Sequence, residues 1–237
     1  MSAAAGGCLP PEALLALLQL ADSGAPVGGY AHSAGLEGLA QAGALPDGRA
    51  LRGALDGMMR QVLATADLVG VVQAHRAAAT GDLARLLALD ALFSAQKVAR
   101  EARAASVGLG RRLLANAANL TDTPLVDAYR ARVEEGRGQG HACVAFGLVA
   151  WACGVGEEPA ALGFGYAWLA GALAAALRLG ILGQSEAQVV LRERWPALAA
   201  AVARARARET EEIAAFAPAL EIAMMRHERA YSRLFAS

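Results

Sequence analysis

Residues 24–33, GAPVGGYAHS, include residue types that phosphate-binding loops use. Gly24 and Gly29 have the spacing of a loop that cradles phosphate with backbone amides, but Tyr30 stands where that loop needs a lysine. The leucine-rich segment before them is predicted to be a helix, whereas a phosphate loop follows a strand. The sequence also contains no G-x-G-x-x-G pattern. These residues therefore do not predict nucleotide binding.

His32 and Ser33 are adjacent and could belong to a nucleophilic site. Neighbouring residues on a helix point about 100° apart, and a catalytic triad is recognised by a geometry that sequence does not supply. Side-chain oxygens just before a helix more often accept hydrogen bonds from the unpaired amides of its first turn. We expect helix capping by Ser33 or His32 and no catalytic residue.

The chain has four histidines and three cysteines. His141 and Cys143 are two residues apart, so they would not share a helix face, which is poor spacing for metal ligands. The cysteines form no Cys-x-x-Cys pair and no disulfide framework. We expect no stable metal site and no cofactor.

Two arginines are candidates for a catalytic role on a partner. Arg103 lies with Glu101 near a Gly-Leu-Gly sequence, and Arg178 lies further along the chain. An inserted arginine can accelerate GTP hydrolysis, so a regulator of a GTPase stays an alternative function. For Glu101 and Arg103, a solvated helix face with salt bridges is the commoner arrangement and the one we expect.

The last twenty residues combine an apolar stripe with arginines at 226, 229 and 233. Helical spacing places four residues on this stripe, namely Leu220, Met224, His227 and Tyr231. Chain ends fray unless something holds them, so this segment must dock either on its own core or in a groove of a partner. The sequence leaves both alternatives open.

The elements that would position these residues are predicted to be helices. Alanine makes up about a quarter of the chain, β-branched residues are sparse, and no sustained alternating pattern is present. We expect one all-α, bundle-like domain of about nine to ten helices. Helix starts are predicted near Pro11, Asp47, Asp82 and Pro124, a helix break at Thr65 to Asp67, a glycine interruption within residues 97–120, and a capping box at Ser185 and Gln188.

Charge and hydropathy exclude some partners. The 22 basic residues balance the 22 acidic ones, so no nucleic-acid footprint is present. Residues 138–156 and 159–177 carry no charge and reach membrane-spanning length, but they are rich in alanine and glycine. We expect two buried central helices, with a membrane hairpin as the alternative. Since no basic region precedes the first apolar segment, we expect a cytoplasmic protein.

Five sequence blocks along the chain belong to one recognisable pattern. The first is LLQLADSGAPVGGYAHSAGLE and the last is MRHERAYSRLFAS. Between them lie EARAASVGLGRRL, HACVAFGLVAWACGV and LGQSEAQ. In this order they resemble the urease accessory protein F (UreF) family, whose C-terminal ending the last block matches. Several blocks together, spread over the whole chain, are specific, although none is specific alone.

The resemblance implies a homodimeric, non-catalytic scaffold. It would join a UreD/UreH-type accessory protein and a UreG-type GTPase in a complex that delivers nickel to apo-urease. Residues 1–217 would form the helical domain, and residues 218–237 a tail that orders on the UreD/UreH-type partner. Loop and tail would support each other, with Arg233 donating to backbone carbonyls near Gly29.

The resemblance also implies a set of partner-binding residues. They are Gly29, Tyr30, His32, Glu37, Tyr166, Arg226, His227, Glu228, Tyr231, Arg233, Leu234 and Phe235. Tyr166 matches an aromatic residue implicated in meeting the GTPase. The chain departs from the family pattern at Leu162 and Ala236, where some members carry basic residues, so the GTPase contact is less firmly implied.

Overall fold

The computed structural model describes residues 9–22, 24, 29 and 32–236, and within them it contains helices and no strand. The α-helices are α1 (Pro11–Ala21), α2 (Leu36–Gln41), α3 (Gly48–Met58), α4 (Leu68–Ala79), α5 (Leu83–Gln96), α6 (Arg100–Ala117), α7 (Pro124–Glu134), α8 (Ala142–Ala152), α9 (Glu157–Arg178), α10 (Gln184–Glu193), α11 (Trp195–Arg206) and α12 (Pro218–His227). A π-helical segment, Met59–Asp67, joins α3 to α4, and a 3₁₀ turn spans Thr210–Glu212. The predicted all-α fold is confirmed.

Helix α8 lies at the centre of the bundle. It is apolar on every side, and eight of its eleven residues are buried, mainly against α4, α6 and α9. Glycines permit the closest approaches, because a β-carbon at Gly147 would collide with the Val71 carbonyl and one at Gly110 with the Gly140 carbonyl. The charge-free segment 138–156 thus forms a core helix, as predicted.

Helix α9 is the second apolar helix, and it packs against α1, α4, α8 and α11. Among the helices that the structure describes, it alone has the length and apolar composition to cross a membrane, and half of its most apolar window is buried within the protein. Helix α8 has 11 residues, whereas a span needs about 20. The two helices therefore do not form a membrane hairpin of matched length.

The four predicted helix starts are confirmed, and α1 begins at Pro11 as expected. Asp47 accepts a hydrogen bond from the Ala50 amide at 2.8 Å, and Asp82 accepts one from the Arg85 amide at 2.9 Å. Pro124 occupies the first turn of α7, where its missing amide costs no hydrogen bond.

The predicted break at Thr65 to Asp67 is wrong. The backbone stays helical from α3 through the π-helical segment into α4, and Asp67 turns its side chain to Lys97 Nζ at 2.8 Å instead of capping a helix. Lys97 is the only lysine and is largely buried, so an opposing carboxylate offsets its desolvation. Burial would lower the pKa of Lys97, but the charge of Asp67 raises it above the ordinary value.

Two further local predictions are wrong. Helix α6 runs without interruption through its glycines. Gly110 allows the segment before α8 to pack closely against the helix and does not break it. Helix α10 begins at Gln184 after Gly183 with no side-chain cap, so Ser185 forms no capping box. A capping box is found instead between Glu209 and Glu212 at the 3₁₀ turn.

Candidate partner-binding site

The C-terminal helix α12 packs against α2 and α6. Two glycines of the first sequence block permit this contact. A β-carbon at Gly38 would lie 2.5 Å from the Ala223 carbonyl oxygen, and one at Gly35 would lie 2.6 Å from Leu220 Cδ1. Gly35 also has a φ of +87°, which favours glycine. These two glycines therefore allow α12 to pack closely against α2.

His227, at the end of α12, is buried between two carboxylates. Its Nε2 lies 2.8 Å from Glu37 Oε2 on α2, and its Nδ1 lies 2.8 Å from Glu101 Oε2 on α6. Carboxylate oxygens only accept hydrogen bonds, so the doubly protonated imidazolium ring satisfies both contacts. One side chain thereby joins three helices.

Glu37 also holds the chain beyond α12. Its carboxylate accepts hydrogen bonds from the Leu234 amide at 2.7 Å and the Phe235 amide at 2.9 Å. Burial would raise the pKa of Glu37, but the Leu234 amide, the His227 ring and the Phe235 amide together hold it below its ordinary value. The folded protein thus favours an ionised Glu37.

Arg233 completes what we call the tail cluster, namely Glu37, Glu101, His227 and Arg233. Its Nη1 donates to Glu101 Oε1 at 2.9 Å. With an imidazolium at His227, two negative and two positive charges balance, so the buried charges are paired. Most of the backbone carbonyls near Gly29 that Arg233 was expected to reach lie outside the described residues, so that expectation stays a prediction.

The expected solvated face at Glu101 is therefore wrong for that residue, which is 8% exposed. Glu101 was not among the residues expected in the site. The signal that could have found it was the resemblance block EARAASVGLGRRL, in which a buried acid stands beside arginines.

Gly29, His32 and Phe235 line one cavity of about 310 Å³ under the tail. Arg178 lies over the Phe235 ring, 4.2 Å from its centroid, in a cation–π arrangement that the sequence did not indicate. Burial and the charge of Arg112 lower the pKa of His32, which favours its neutral form. The loop and the tail therefore share this cavity, although Tyr30 lies outside the described residues.

The outer surface of the tail faces solvent. Apolar side chains are exposed along it, at fractions of 48% for Ile222, 40% for Met225, 52% for Leu234 and full exposure for Tyr231. Arg226 is also exposed, and Glu228 forms an ion pair with Arg100. Polar contacts thus hold the inner side of the tail. Its outer face is apolar and basic, a composition typical of interaction surfaces.

Other candidate residues lie apart from the tail. Tyr166 projects from α9 with 42% of its surface exposed. Ser33 Oγ accepts a hydrogen bond from the Glu37 amide at 3.3 Å and so contacts the first turn of α2, although Gly35 occupies the N-cap position. Within the part of the chain that the structure describes, no three side chains of His, Cys, Asp or Glu are grouped so as to hold a metal ion. His141 hydrogen-bonds two serines, and Cys143 is buried.

The comparisons with known proteins agree with the sequence blocks. The UreF family model matches residues 45–195. A urease accessory protein UreF of Bacillus sp. (strain TB-90) is 31% identical over 94% of this chain and 99% of its own. The proteins of that name from Paenarthrobacter aurescens and Kocuria rhizophila are 35% and 36% identical, each over 94% of this chain and 97% of their own. The chain therefore belongs to the UreF family of urease accessory proteins.

Proposed function

We propose that this chain is a non-catalytic scaffold in urease maturation. It would bring together a UreD/UreH-type accessory protein and a UreG-type GTPase in the complex that delivers nickel to apo-urease. Family membership supports the role in maturation. The observation that carries the scaffold role is the C-terminal tail, which is anchored by buried charges and presents an apolar outer face.

The UreD/UreH-type partner would bind this outer face. Ile222 and Met225 lie one helical turn apart on α12, and Leu234 and Tyr231 extend the apolar surface beyond the helix. Burying several such side chains supplies the apolar area that stable interfaces use, and aromatic and arginine residues are common anchors. Residues 218–237 would act as one unit, whose order the bound partner increases.

The UreG-type GTPase would bind a separate surface that includes Tyr166 on α9. A second copy of the chain would bind through α1, where Leu14, Leu15 and Leu18 are 45%, 66% and 59% exposed. We propose that the homodimer acts in the cytoplasm, where urease apoprotein would be available for maturation.

The regulator alternative has no observation in its favour. Arg103 Nη1 donates to the Lys97 carbonyl at 2.8 Å, and the guanidinium of Arg178 lies over Phe235. Both arginines thus contact the chain's own groups, whereas an arginine finger reaches the partner's nucleotide.

Co-purification with the two accessory partners tests the scaffold role. Replacing Ile222 and Met225 by serine is expected to abolish capture of the UreD/UreH-type partner and urease activation. The matched control replaces Val98 and Val189, which are 58% and 53% exposed elsewhere, by serine. Equal capture by both double variants, or urease activation without this protein, would contradict the proposal.

A further inference from the structure

A second surface, away from the tail, carries exposed arginine side chains. It is a groove of about 400 Å³ that lies between α11 on one side and α3 with the following π-helical segment on the other. Asp56 and Arg60 line one wall, Arg204 lines the other, and Glu193 with Arg194 closes one end. We call it the arginine groove.

The acidic residues of the groove are already paired. Glu193 Oε2 lies 3.2 Å from both Arg52 Nε and Arg194 Nη1, and Asp56 Oδ1 lies 3.3 Å from Arg194 Nε. Arg60 and Arg204 make no ion pair within the described part of the chain, and both are exposed. The charge left over for a ligand is therefore positive.

Arg194 is a buried donor at this end of the groove. Its side chain is 6% exposed, and its Nη atoms donate to the carbonyls of Val190 and Arg52, each at 3.2 Å. Its Nε faces Asp56 without the alignment of a hydrogen bond, so this buried N–H has no hydrogen-bond partner. The Asp56 carboxylate still lies 3.3 Å from this nitrogen, so Arg194 is held within the protein, and the positive charge that a ligand can reach belongs to Arg60 and Arg204.

The floor of the groove indicates an extended ligand. Ala197, Ala200 and Ala201 form it, and with Arg204 they fall on one face of α11, so the floor extends over about 10 Å of helix. A small anion would contact an arginine and leave this apolar floor uncovered. A peptide segment would cover the alanines with its aliphatic groups and place its carboxylates on the arginines.

We propose that the arginine groove binds an acidic segment of a protein partner through Arg60 and Arg204. The groove lies on a surface separate from the tail, so binding there would be additional to the scaffold function. Recognition by exposed arginines of this kind is sensitive to ionic strength and acts strongly on association rate.

Fluorescence anisotropy with a fluorescein-labelled hexaglutamate peptide at low ionic strength tests the proposal on the isolated protein. The double variant Arg60→Glu/Arg204→Glu is expected to bind the peptide at least about tenfold more weakly than the unaltered protein. The control, Arg132→Glu/Arg137→Glu, makes the same charge change where only exposed ion pairs are lost and should change affinity less than about twofold.

Competition distinguishes the proposed ligand from a small anion. Inorganic phosphate at matched ionic strength is expected to leave the peptide bound. Displacement by phosphate, equal weakening by both double variants, or no binding of hexaglutamate to the unaltered protein would overturn the proposal. Because the assay uses no urease component, its failure leaves the scaffold function untouched, and failure of complex assembly leaves this inference untouched.

Discussion

Two buried histidines show how differently this fold uses the same side chain. His141, just before α8, has Ser94 Oγ at 2.8 Å from Nε2 and Ser106 Oγ at 3.0 Å from Nδ1. Burial lowers the pKa of His141 to about 4, so the ring is neutral at neutral pH. His227 lies between two carboxylates instead, where a charged ring fits.

The surroundings explain the difference. At His141 the negative charge belongs to Asp90, which accepts hydrogen bonds from the amides of Gln139, Gly140 and His141, so backbone groups already balance it. In the tail cluster the carboxylates of Glu37 and Glu101 face the ring directly. A neutral histidine thus joins core helices, whereas a charged cluster joins a terminal segment to the core.

The largest expected effect is at the core cluster. Asp90→Ala would leave the buried amides of Gly140 and His141 and the partly buried amide of Gln139 without this acceptor, and we expect the free energy of unfolding to fall by about 3 kcal/mol or more. Urea denaturation measures it. Asp82→Ala, which removes an exposed helix cap, is the control and should cost about 1 kcal/mol. Equal losses would contradict the distinction between a core cluster and an ordinary cap.

The second prediction uses pH to separate the two histidines. The folded pKa of His141 is about 4 against 6.5 for the ordinary group, so the unfolded chain binds more protons between these values. Stability is then fully present above pH 6.5 and falls as the pH drops toward 4, by up to about 3 kcal/mol. Thermal unfolding of the unaltered protein and of His141→Gln checks this, since the variant keeps His32 and should lose only the contribution of His141.

The tail cluster should respond at lower pH. The pKa of Glu37 lies below the ordinary 4.5, so its contribution persists above that value and is lost as the pH falls through the folded pKa. Between pH 6.5 and 4.5 we therefore expect weakened global stability while the bonds from Glu37 to the tail persist. Release of the tail in that interval, measured by proteolysis at the C-terminal arginines, would argue against this separation.

The third prediction concerns the close contact between Gly38 on α2 and the tail helix α12. Gly38→Ala would force a methyl group against the Ala223 carbonyl and is expected to cost about 1–3 kcal/mol, mainly by displacing α12. Limited trypsin digestion should then cleave the tail first. Gly53→Ala, at a helical position with open space around it, is the control and should be neutral or slightly stabilising.

The smallest effect on stability is expected at Arg233, whose side chain is 43% exposed. Arg233→Ala should cost less than about 1 kcal/mol, because His227 still pairs with Glu101. We nevertheless expect lower urease activation in this variant and in Tyr30→Ala, since loop and tail are proposed to bind partners together. Unfolding of either variant at normal temperature would contradict this, and normal activation would remove Arg233 from the site.

Local sequence signals predicted local structure well. Asp47 and Asp82 cap helices as their positions indicated, since a cap depends on amides three residues away. The signals failed where distant chain segments decide the outcome. Asp67 pairs with Lys97, thirty residues away, and the π-helical carbonyls of Gln61 and Thr65 accept from the amides of Phe216 and Ala214.

The candidate site was predictable in part for the same reason. The tail stripe correctly grouped Leu220 and His227 on one face of α12, because helical periodicity is local, and both are buried on the inner side of the helix. Tyr231, assigned to the same stripe, is fully exposed, because α12 ends at His227 and the periodicity ends with it. Nothing local could show that Glu101 meets the tail, since that contact spans 126 residues.

Amide hydrogen exchange at Leu234 and Phe235 in the isolated chain tests the central claim most directly. If Glu37 anchors the tail, these two amides are protected in the unaltered protein at neutral pH, and Glu37→Ala abolishes their protection while the amides of α8 keep theirs. Exchange at the rates of an unstructured peptide in the unaltered protein would contradict the account.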